Sequence, residues 1–162
     1  MVWGWLCLIR KAGIEDIPVI VGMIRNGSDE DVFYSRPDSL EEQLERFKRF
    51  AFDSRSDGYE VLVHQTENTI EGYVDYQVKR GVGHILGIYV KRDYRRKGVG
   101  KRLVKKALED FKRLGCHKAR LEVFAHNTGA VSLYEHLGFN QEGFLHKDEE
   151  KKDVIIMSKF LP

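Results

Sequence analysis

A basic, glycine-containing segment at residues 95–100 lies between an apolar, β-branched run and an amphipathic stretch. Seven of the twelve residues at 91–102 are Lys or Arg, and Asp93 is the one acid among them. A helix that begins here would direct unpaired backbone N–H groups and the positive end of its dipole toward a ligand. Gly98 and Gly100 would let phosphate oxygens approach the backbone without meeting a Cβ. The segment therefore predicts a diphosphate-binding turn.

The flanking sequence contains both elements that such a turn needs. Residues 84–90 are apolar and β-branched, which is typical of a buried strand. Downstream, apolar residues recur at helical spacing with charged residues on the other face, and Gly115 suits the left-handed position after a helix. The apolar positions are Val99, Leu103, Val104, Ala107, Leu108, Phe111 and Leu114.

Two common nucleotide-binding motifs are excluded by single residues. A P-loop requires Gly five residues before Gly100 and Ser or Thr two residues after it, where the chain has Arg95 and Arg102. A dinucleotide fingerprint that starts at Gly98 requires Gly or Ala at position 103, which is Leu103. Neither nucleotide-binding fold is supported.

A second motif lies about one strand further along the chain. Residues 118–124 are typical of a strand and lead to Asn127, a favourable helix N-cap. Residues 128–139 predict a short helix that ends at Gly138, and they contain the pattern Leu-Tyr-Glu-x-Leu-Gly-Phe.

Together the two motifs resemble the GCN5-related N-acetyltransferases (GNAT superfamily), whose acyl-CoA pyrophosphate loop has the pattern Arg/Gln-x-x-Gly-x-Gly/Ala. The resemblance is close over residues 59–160 and loose in the N-terminal third, and its motif spacing is most similar to the ribosomal-protein alanine N-acetyltransferase branch. It implies an α/β (α+β) acyl-CoA N-acyltransferase fold. In that fold a central mixed, mostly antiparallel sheet has splayed central strands and helices on both faces.

The resemblance also implies acetyl-CoA as co-substrate and no metal. The pantetheine arm would enter the gap between the strands at 85–90 and 120–124, and it would hydrogen-bond the first strand as a substitute strand edge. The residues implied to contact acetyl-CoA are Ile88, Tyr89, Val90, Arg95, Arg96, Lys97, Gly98, Val99, Gly100, Lys101, Asn127 and Tyr134.

Aminolysis of a thioester needs a base for the acceptor ammonium and an acid for the departing thiolate. In the resembling family, a tyrosine at the position of Tyr134 points at the cofactor sulfur, which makes Tyr134 the candidate acid. Glu122 is the candidate base, because in the ribosomal-protein branch a Glu precedes the Asn by the same five residues. A strand Glu can instead lie on a solvated face. His84 acting through a water is the alternative base, and Asn127 can serve as a helix cap alone.

The expected acceptor is a primary amine, and the spacing of Glu122, Asn127 and Tyr134 favours a protein or peptide N-terminus. A small amine, such as a polyamine, an amino acid or an antibiotic, is the alternative acceptor, and a non-catalytic acyl-CoA sensor is the alternative class of function. Residues 3–5 and 53–58 match no acceptor pattern. Acidic residues in the first two helices and the last loop would favour a cationic amine. They are Asp29, Glu30, Asp31, Glu41, Glu42, Asp148, Glu149 and Glu150.

Composition predicts one domain over residues 1–162, since 42% of the residues are hydrophobic and no linker-like stretch interrupts them. A net charge of +2 is too small for a dedicated nucleic-acid binder. Cys7 and Cys116 have no metal-binding spacing and are expected to be reduced thiols. With no signal-like or membrane-spanning run, we expect a cytoplasmic protein without a membrane partner. A homodimer through an exposed strand edge near the C-terminus is compatible with such a fold.

The remaining elements follow from periodicity and turn residues. We expect strands at 6–11, 59–66, 70–79, 144–146 and 154–160, a helix at 15–24, an acidic loop at 28–31, and a second helix that Pro37 and Asp38 introduce and that runs through Leu40 to Phe50.

Overall fold

The structure of the protein, a computed structural model, describes residues 7–34, 38–52 and 58–162. Within these ranges one sheet contains seven strands in the order β1-β2-β3-β4-β5-β7-β6. The strands are β1 (Cys7–Lys11), β2 (Tyr59–Thr66), β3 (Thr69–Lys79), β4 (Val82–Val90), β5 (Lys118–Phe124), β6 (Asn140–Leu145) and β7 (Val154–Phe160). All neighbouring strands are antiparallel except β4 and β5, which confirms the predicted mixed sheet.

In the described ranges, four α-helices cover the two faces of the sheet. They are α1 (Ile17–Asp29), α2 (Leu40–Phe52), α3 (Val99–Arg113) and α4 (Thr128–His136). Each face of the sheet has its own hydrophobic core. In strand β2, Val61 and Val63 belong to the core that contains α1, whereas Leu62 belongs to the core that contains α3 and α4. Among the described helices, none is long and apolar enough to span a membrane.

The central strands β4 and β5 separate partway along their length. They pair in parallel from Val82 with Lys118 to Ile85 with Leu121. Just beyond this point the register between β3 and β4 shifts, so that Leu86 is a bulged residue with 53% of its surface exposed. Residues 86–90 therefore face residues 122–124 across a gap, which confirms the predicted splay.

Some predicted boundaries were wrong, because contacts between distant segments extend two elements and one helix ends early. Helix α1 runs through Asp29 instead of ending at Ile24, since Gly27 lies beneath the ring of Phe33 and does not terminate the helix. Strand β6 begins at Asn140, where it pairs with Ser158 of β7. Helix α4 ends at His136 rather than at Gly138. The predicted strand start at residue 6, the Pro37 signal, the segment at 3–5 and residues 53–57 lie outside the described residues.

A buried hydrogen bond fixes α3 on β3. The Tyr76 hydroxyl donates to Asp110 Oδ2 at 2.9 Å, and Lys106 and Arg113 each lie 3.2 Å from Asp110 Oδ1. Burial opposes ionisation of Asp110, but these three partners outweigh it and hold its pKa below the usual value.

We expect Tyr76→Phe to lower the free energy of unfolding by about 1–2 kcal/mol, because Asp110 loses a buried donor. The folded-state pKa of Asp110 is depressed, so its stabilising effect is present above the unfolded pKa and is lost as the pH falls through the folded pKa. Urea denaturation at pH 7 and below about pH 3 tests this linkage. The gap between wild type and variant should shrink in acid, and an equal gap at both pH values would contradict the assignment.

Candidate active site

The predicted diphosphate turn lies at the start of α3, shortly after β4. Gly98 precedes the helix with φ 80° and provides no side-chain cap. The N–H of Arg102 bonds back to the Gly98 carbonyl at 3.0 Å. In the described part of the chain, no group accepts a hydrogen bond from the backbone N–H groups of residues 98–101. These groups meet the requirements of an anion site at a helix N-terminus.

The guanidinium of Arg95 contacts the protein on three sides. Its Nε donates to the Val90 carbonyl at 2.9 Å, its Nη2 lies 2.5 Å from Glu30 Oε2, and its central carbon lies 5.1 Å from the centre of the Tyr89 ring. The Arg95 backbone N–H donates to the Arg92 carbonyl at 3.2 Å. Arg95 thus connects the end of α1 to the end of β4. Arg96, Lys97 and Lys101 are exposed basic residues at the turn.

Glu30 is the residue after α1 that Arg95 contacts, and the sequence did not reveal this contact. It accepts a 2.8 Å hydrogen bond from the Tyr89 hydroxyl in addition to the Arg95 contact. Burial opposes its ionisation, but Arg95 and Tyr89 hold the pKa of Glu30 below the usual value. Burial and the bond to Glu30 raise the pKa of Tyr89 to about 12, so this phenol stays protonated near neutral pH.

Gly100 allows close packing, in addition to its proposed role in anion binding. A Cβ at this position would lie 3.3 Å from Leu133 Cδ2 and within 4 Å of the Val90 and Ile88 side chains. The missing side chain therefore lets the first turn of α3 pack closely against α4 and β4. Val99, the first residue of the helix, is 2% exposed and belongs to the same core.

The gap between β4 and β5 opens into a cleft of about 400 Å³. Residues 85–88 line one side, residues 121–124 line the other, and Asn127, Ala130 and Tyr134 of α4 also contribute. Of the predicted backbone contacts, Ile88 lines the cleft. Tyr89 and Val90 continue the same strand, where they pair with Tyr73 and Gly72 of β3, and no described strand pairs with their edge toward β5.

Tyr134 lines this cleft and is only 4% exposed. Its ring packs against Phe139 with 5.8 Å between centroids, and no described residue hydrogen-bonds its hydroxyl. Burial raises the pKa of Tyr134 well above that of a free tyrosine, so the phenol remains a neutral proton donor. Asn127 caps α4 by accepting the Ala130 N–H at 3.3 Å while it also lines the cleft. The two predicted roles of Asn127 are therefore compatible.

The structure brings Glu122 to the cleft and leaves His84 outside it. Glu122 is exposed, lines the cleft and has one carboxylate oxygen 3.4 Å from Arg120 Nη2. His84 lies in the paired half of β4 beside Arg120 and is absent from the cleft wall. Burial, Arg120 and Lys79 lower the pKa of His84. Glu122 is therefore the better placed of the two predicted bases.

Asp75 is a cleft residue that the sequence reading missed. It lies on β3 directly across from Gly87, accepts a 2.7 Å hydrogen bond from the Tyr59 hydroxyl and is partly buried. Aromatic rings line the same region of the cleft: Phe33, Tyr34, Phe47, Phe50, Tyr59 and Tyr73. Carboxylates among aromatic faces form an environment that favours a cation.

The eight acidic residues expected to surround the acceptor lie outside the cleft wall. Glu30 bonds Arg95, and Asp31 bonds Lys152 beside His126. The last loop still acts on the cleft electrostatically, because burial and then the carboxylates of Asp148 and Glu149 raise the pKa of Tyr34.

Known proteins share both the sequence pattern and the fold. Residues 19–139 match the model of the acetyltransferase (GNAT) family. The chain is 33% identical over 78 residues to the ribosomal protein bS18-alanine N-acetyltransferase of Escherichia coli K12, a match that covers 46% of the chain and 53% of that relative. The chain thus spans about half the length of this relative.

Two further similarities extend over nearly the whole chain. It is 25% identical over 165 residues to the spermidine N(1)-acetyltransferase of Thermoplasma acidophilum, covering 94% of the chain and 96% of that protein. The solved spermidine N-acetyltransferase of Vibrio cholerae, in complex with CoA and spermine, superposes with a TM-score of 0.80 at 22% identity over 95% of each chain. From the family match and the shared architecture, the chain belongs to the acetyltransferase (GNAT) family.

Proposed function

We propose that the protein transfers an acetyl group from acetyl-CoA to a primary amine. The observation that supports this most directly is that Tyr134, Glu122 and the splayed edge of β4 line one cleft. The residues present fit acetyl-CoA, since the N–H groups at the start of α3 suit its diphosphate and the gap suits an extended arm. When bound, acetyl-CoA supplies the thioester that is cleaved.

In this proposal Glu122 accepts a proton from the acceptor ammonium, directly or through one water. The freed amine nitrogen forms a bond to the acetyl carbonyl carbon, and the carbon–sulfur bond breaks. Tyr134 donates its phenolic proton to the departing thiolate, and the second proton that the nitrogen loses as it becomes an amide restores the phenol. The buried Tyr134 hydroxyl suits this role because no described residue hydrogen-bonds it. In the proposal, the backbone of residues 86–88 and the cap residue Asn127 position the reacting atoms. Glu122 and Tyr134 carry out the proton transfers.

The acceptor that we propose is a cationic amine at a protein or peptide N-terminus. Asp75, Glu122 and the aromatic wall support a cation in the cleft. The similarity to a relative named for ribosomal-protein alanine supports an N-terminal acceptor. A polyamine is the second candidate, because the relative that matches over almost its full length is named for spermidine.

Mass spectrometry after incubation with acetyl-CoA and a matched acceptor panel tests the proposal. The panel contains a peptide with a free N-terminal alanine, the same peptide with a blocked N-terminus and a free lysine, spermidine, and free amino acids. We expect acetylation of the first peptide, and acetylation of spermidine alone would select the second candidate. Measurable acetyl-CoA binding without product from any acceptor would contradict a transferase and favour a sensor.

Gly98→Ala is expected to raise the KM for acetyl-CoA about tenfold with kcat nearly unchanged. A residue with a Cβ pays about 1–2 kcal/mol in the left-handed conformation that Gly98 adopts, which disfavours the N–H cradle. Gly129→Ala on α4 is the matched control, since its Cβ would meet no atom within 4 Å and its φ is not left-handed. Calorimetric titration with acetyl-CoA checks the affinity, and equal dissociation constants for the two variants would contradict the cradle.

A further inference from the structure

A second cluster of reactive groups lies where β1, β2, β3 and the first turn of α3 meet. Cys7 Sγ lies 2.7 Å from His64 Nε2, and the thiol-bearing residue is exposed while the histidine is 1% exposed. Neither residue lines the cleft, so the mechanism proposed above does not use them. The cluster also stands apart from Cys116, which is 5% exposed and whose pKa is raised by burial.

Two charged side chains determine which nitrogen of the His64 ring carries the proton. Arg102 Nε donates to Nε2 at 3.0 Å, and Nδ1 lies 2.9 Å from Glu71 Oε2, although off the line of a good hydrogen bond. Because a guanidinium has no acceptor, Nε2 must hold its lone pair and Nδ1 the proton. Burial and Arg102 lower the pKa of His64 against the opposing effect of Glu71, so the ring is a neutral acceptor near neutral pH.

This arrangement gives the thiol a base and a nearby positive charge. Sγ and Arg102 Nε lie 2.7 and 3.0 Å from the same Nε2, so the thiol proton can take the place of the Arg102 hydrogen bond on the single lone pair. The displaced guanidinium then lies close enough to stabilise a developing thiolate. Glu71 contacts the other ring nitrogen and balances the charge that the imidazole acquires. Since the thiol and the carboxylate contact opposite nitrogens, they do not converge on one point as the ligands of a metal ion would.

We infer that Cys7 is a covalent modification site, a thiol that His64 activates toward small disulfides. In the exchange, His64 Nε2 takes the thiol proton and Sγ forms a new bond to one sulfur of the disulfide. The original sulfur–sulfur bond breaks, and the departing thiolate receives the proton from His64. The inference is independent of acetyl transfer, because it concerns residues outside the cleft.

Thiol–disulfide exchange with 4,4′-dithiodipyridine, followed by the absorbance of the released thiopyridone, tests the inference on the full chain. The Cys116→Ser protein leaves Cys7 as its one thiol, and Cys7→Ser is the negative control. A synthetic peptide of residues 3–11 gives the rate of the same thiol without His64. We expect the folded protein to react at least about tenfold faster than the peptide, and His64→Gln in the Cys116→Ser background to remove that advantage.

A rate for the folded protein equal to or below that of the peptide would overturn the inference. A His64→Gln protein that is folded by circular dichroism and reacts as fast as its parent would also overturn it. Comparison of the Cys7 exchange rate in the folded protein and in the peptide tests the activation without a substitution at the buried His64. Mass spectrometry of the digested adduct must place the modification on Cys7.

Discussion

Replacement of Tyr134 by Phe is expected to lower kcat by on the order of 10²–10³, while the dissociation constant for acetyl-CoA stays within about twofold. The phenol is 4% exposed, lines the cleft and has no hydrogen-bond partner among the described residues, so its removal deletes a proton donor and little packing. Without this donor the thiolate must depart unprotonated into a dry site. Stopped assays with acetyl-CoA and calorimetric binding measure the two quantities separately.

The matched control for this experiment is Tyr76→Phe. It also removes one buried tyrosine hydroxyl, but that hydroxyl bonds Asp110 between β3 and α3 and does not face the cleft. We expect this control to lose stability and keep kcat. Because burial raises the pKa of Tyr134, the wild-type rate should persist on the alkaline side beyond the point where an ordinary tyrosine, with a pKa of about 10, loses its proton. Unchanged kcat in Tyr134→Phe would exclude the phenol as the acid.

The conformation of the turn before α3 and the start of α4 could be predicted because their signals are local. Gly98 occupies the left-handed position before α3, and Asn127 bonds the Ala130 N–H three residues later. The apolar positions of α3 between Val99 and Phe111 are buried as the helical spacing predicted. Each of these interpretations depends on neighbours within about one helical turn, which a single sequence displays directly.

The interactions that sequence reasoning missed join distant segments of the chain. Glu30 meets Arg95, which is 65 residues away, and Asp75 lies across from Gly87, next to the bulge at Leu86 where the register of β4 against β3 shifts. Periodicity within one strand cannot reveal such a shift, since a change of one residue moves each side chain to the other face. An acidic residue inside the mainly apolar run of β3 was the available signal, although the same pattern is typical of a solvated position.

Asp75→Asn is expected to raise the KM for a cationic acceptor by about 10–100-fold, with kcat and the affinity for acetyl-CoA close to wild type. Asparagine keeps the size of the side chain and an oxygen that can accept the Tyr59 hydroxyl, so the change removes mainly the negative charge. A carboxylate in a partly buried, aromatic wall is screened less than one in water, and its attraction for an ammonium is correspondingly larger. Steady-state kinetics with varied acceptor concentration measure the effect.

Comparison of Glu122→Gln with Asp75→Asn separates proton transfer from binding of the acceptor. Glu122→Gln should lower kcat and leave the acceptor KM near wild type, because a base acts on the proton in the transition state. Glu41→Gln removes an exposed charge of α2 that is not in the cleft and should change neither parameter. If Asp75→Asn lowered kcat at constant KM while Glu122→Gln left kcat intact, the two roles would be reversed. The base would then lie on β3, on the far side of the β4 bulge from Glu122.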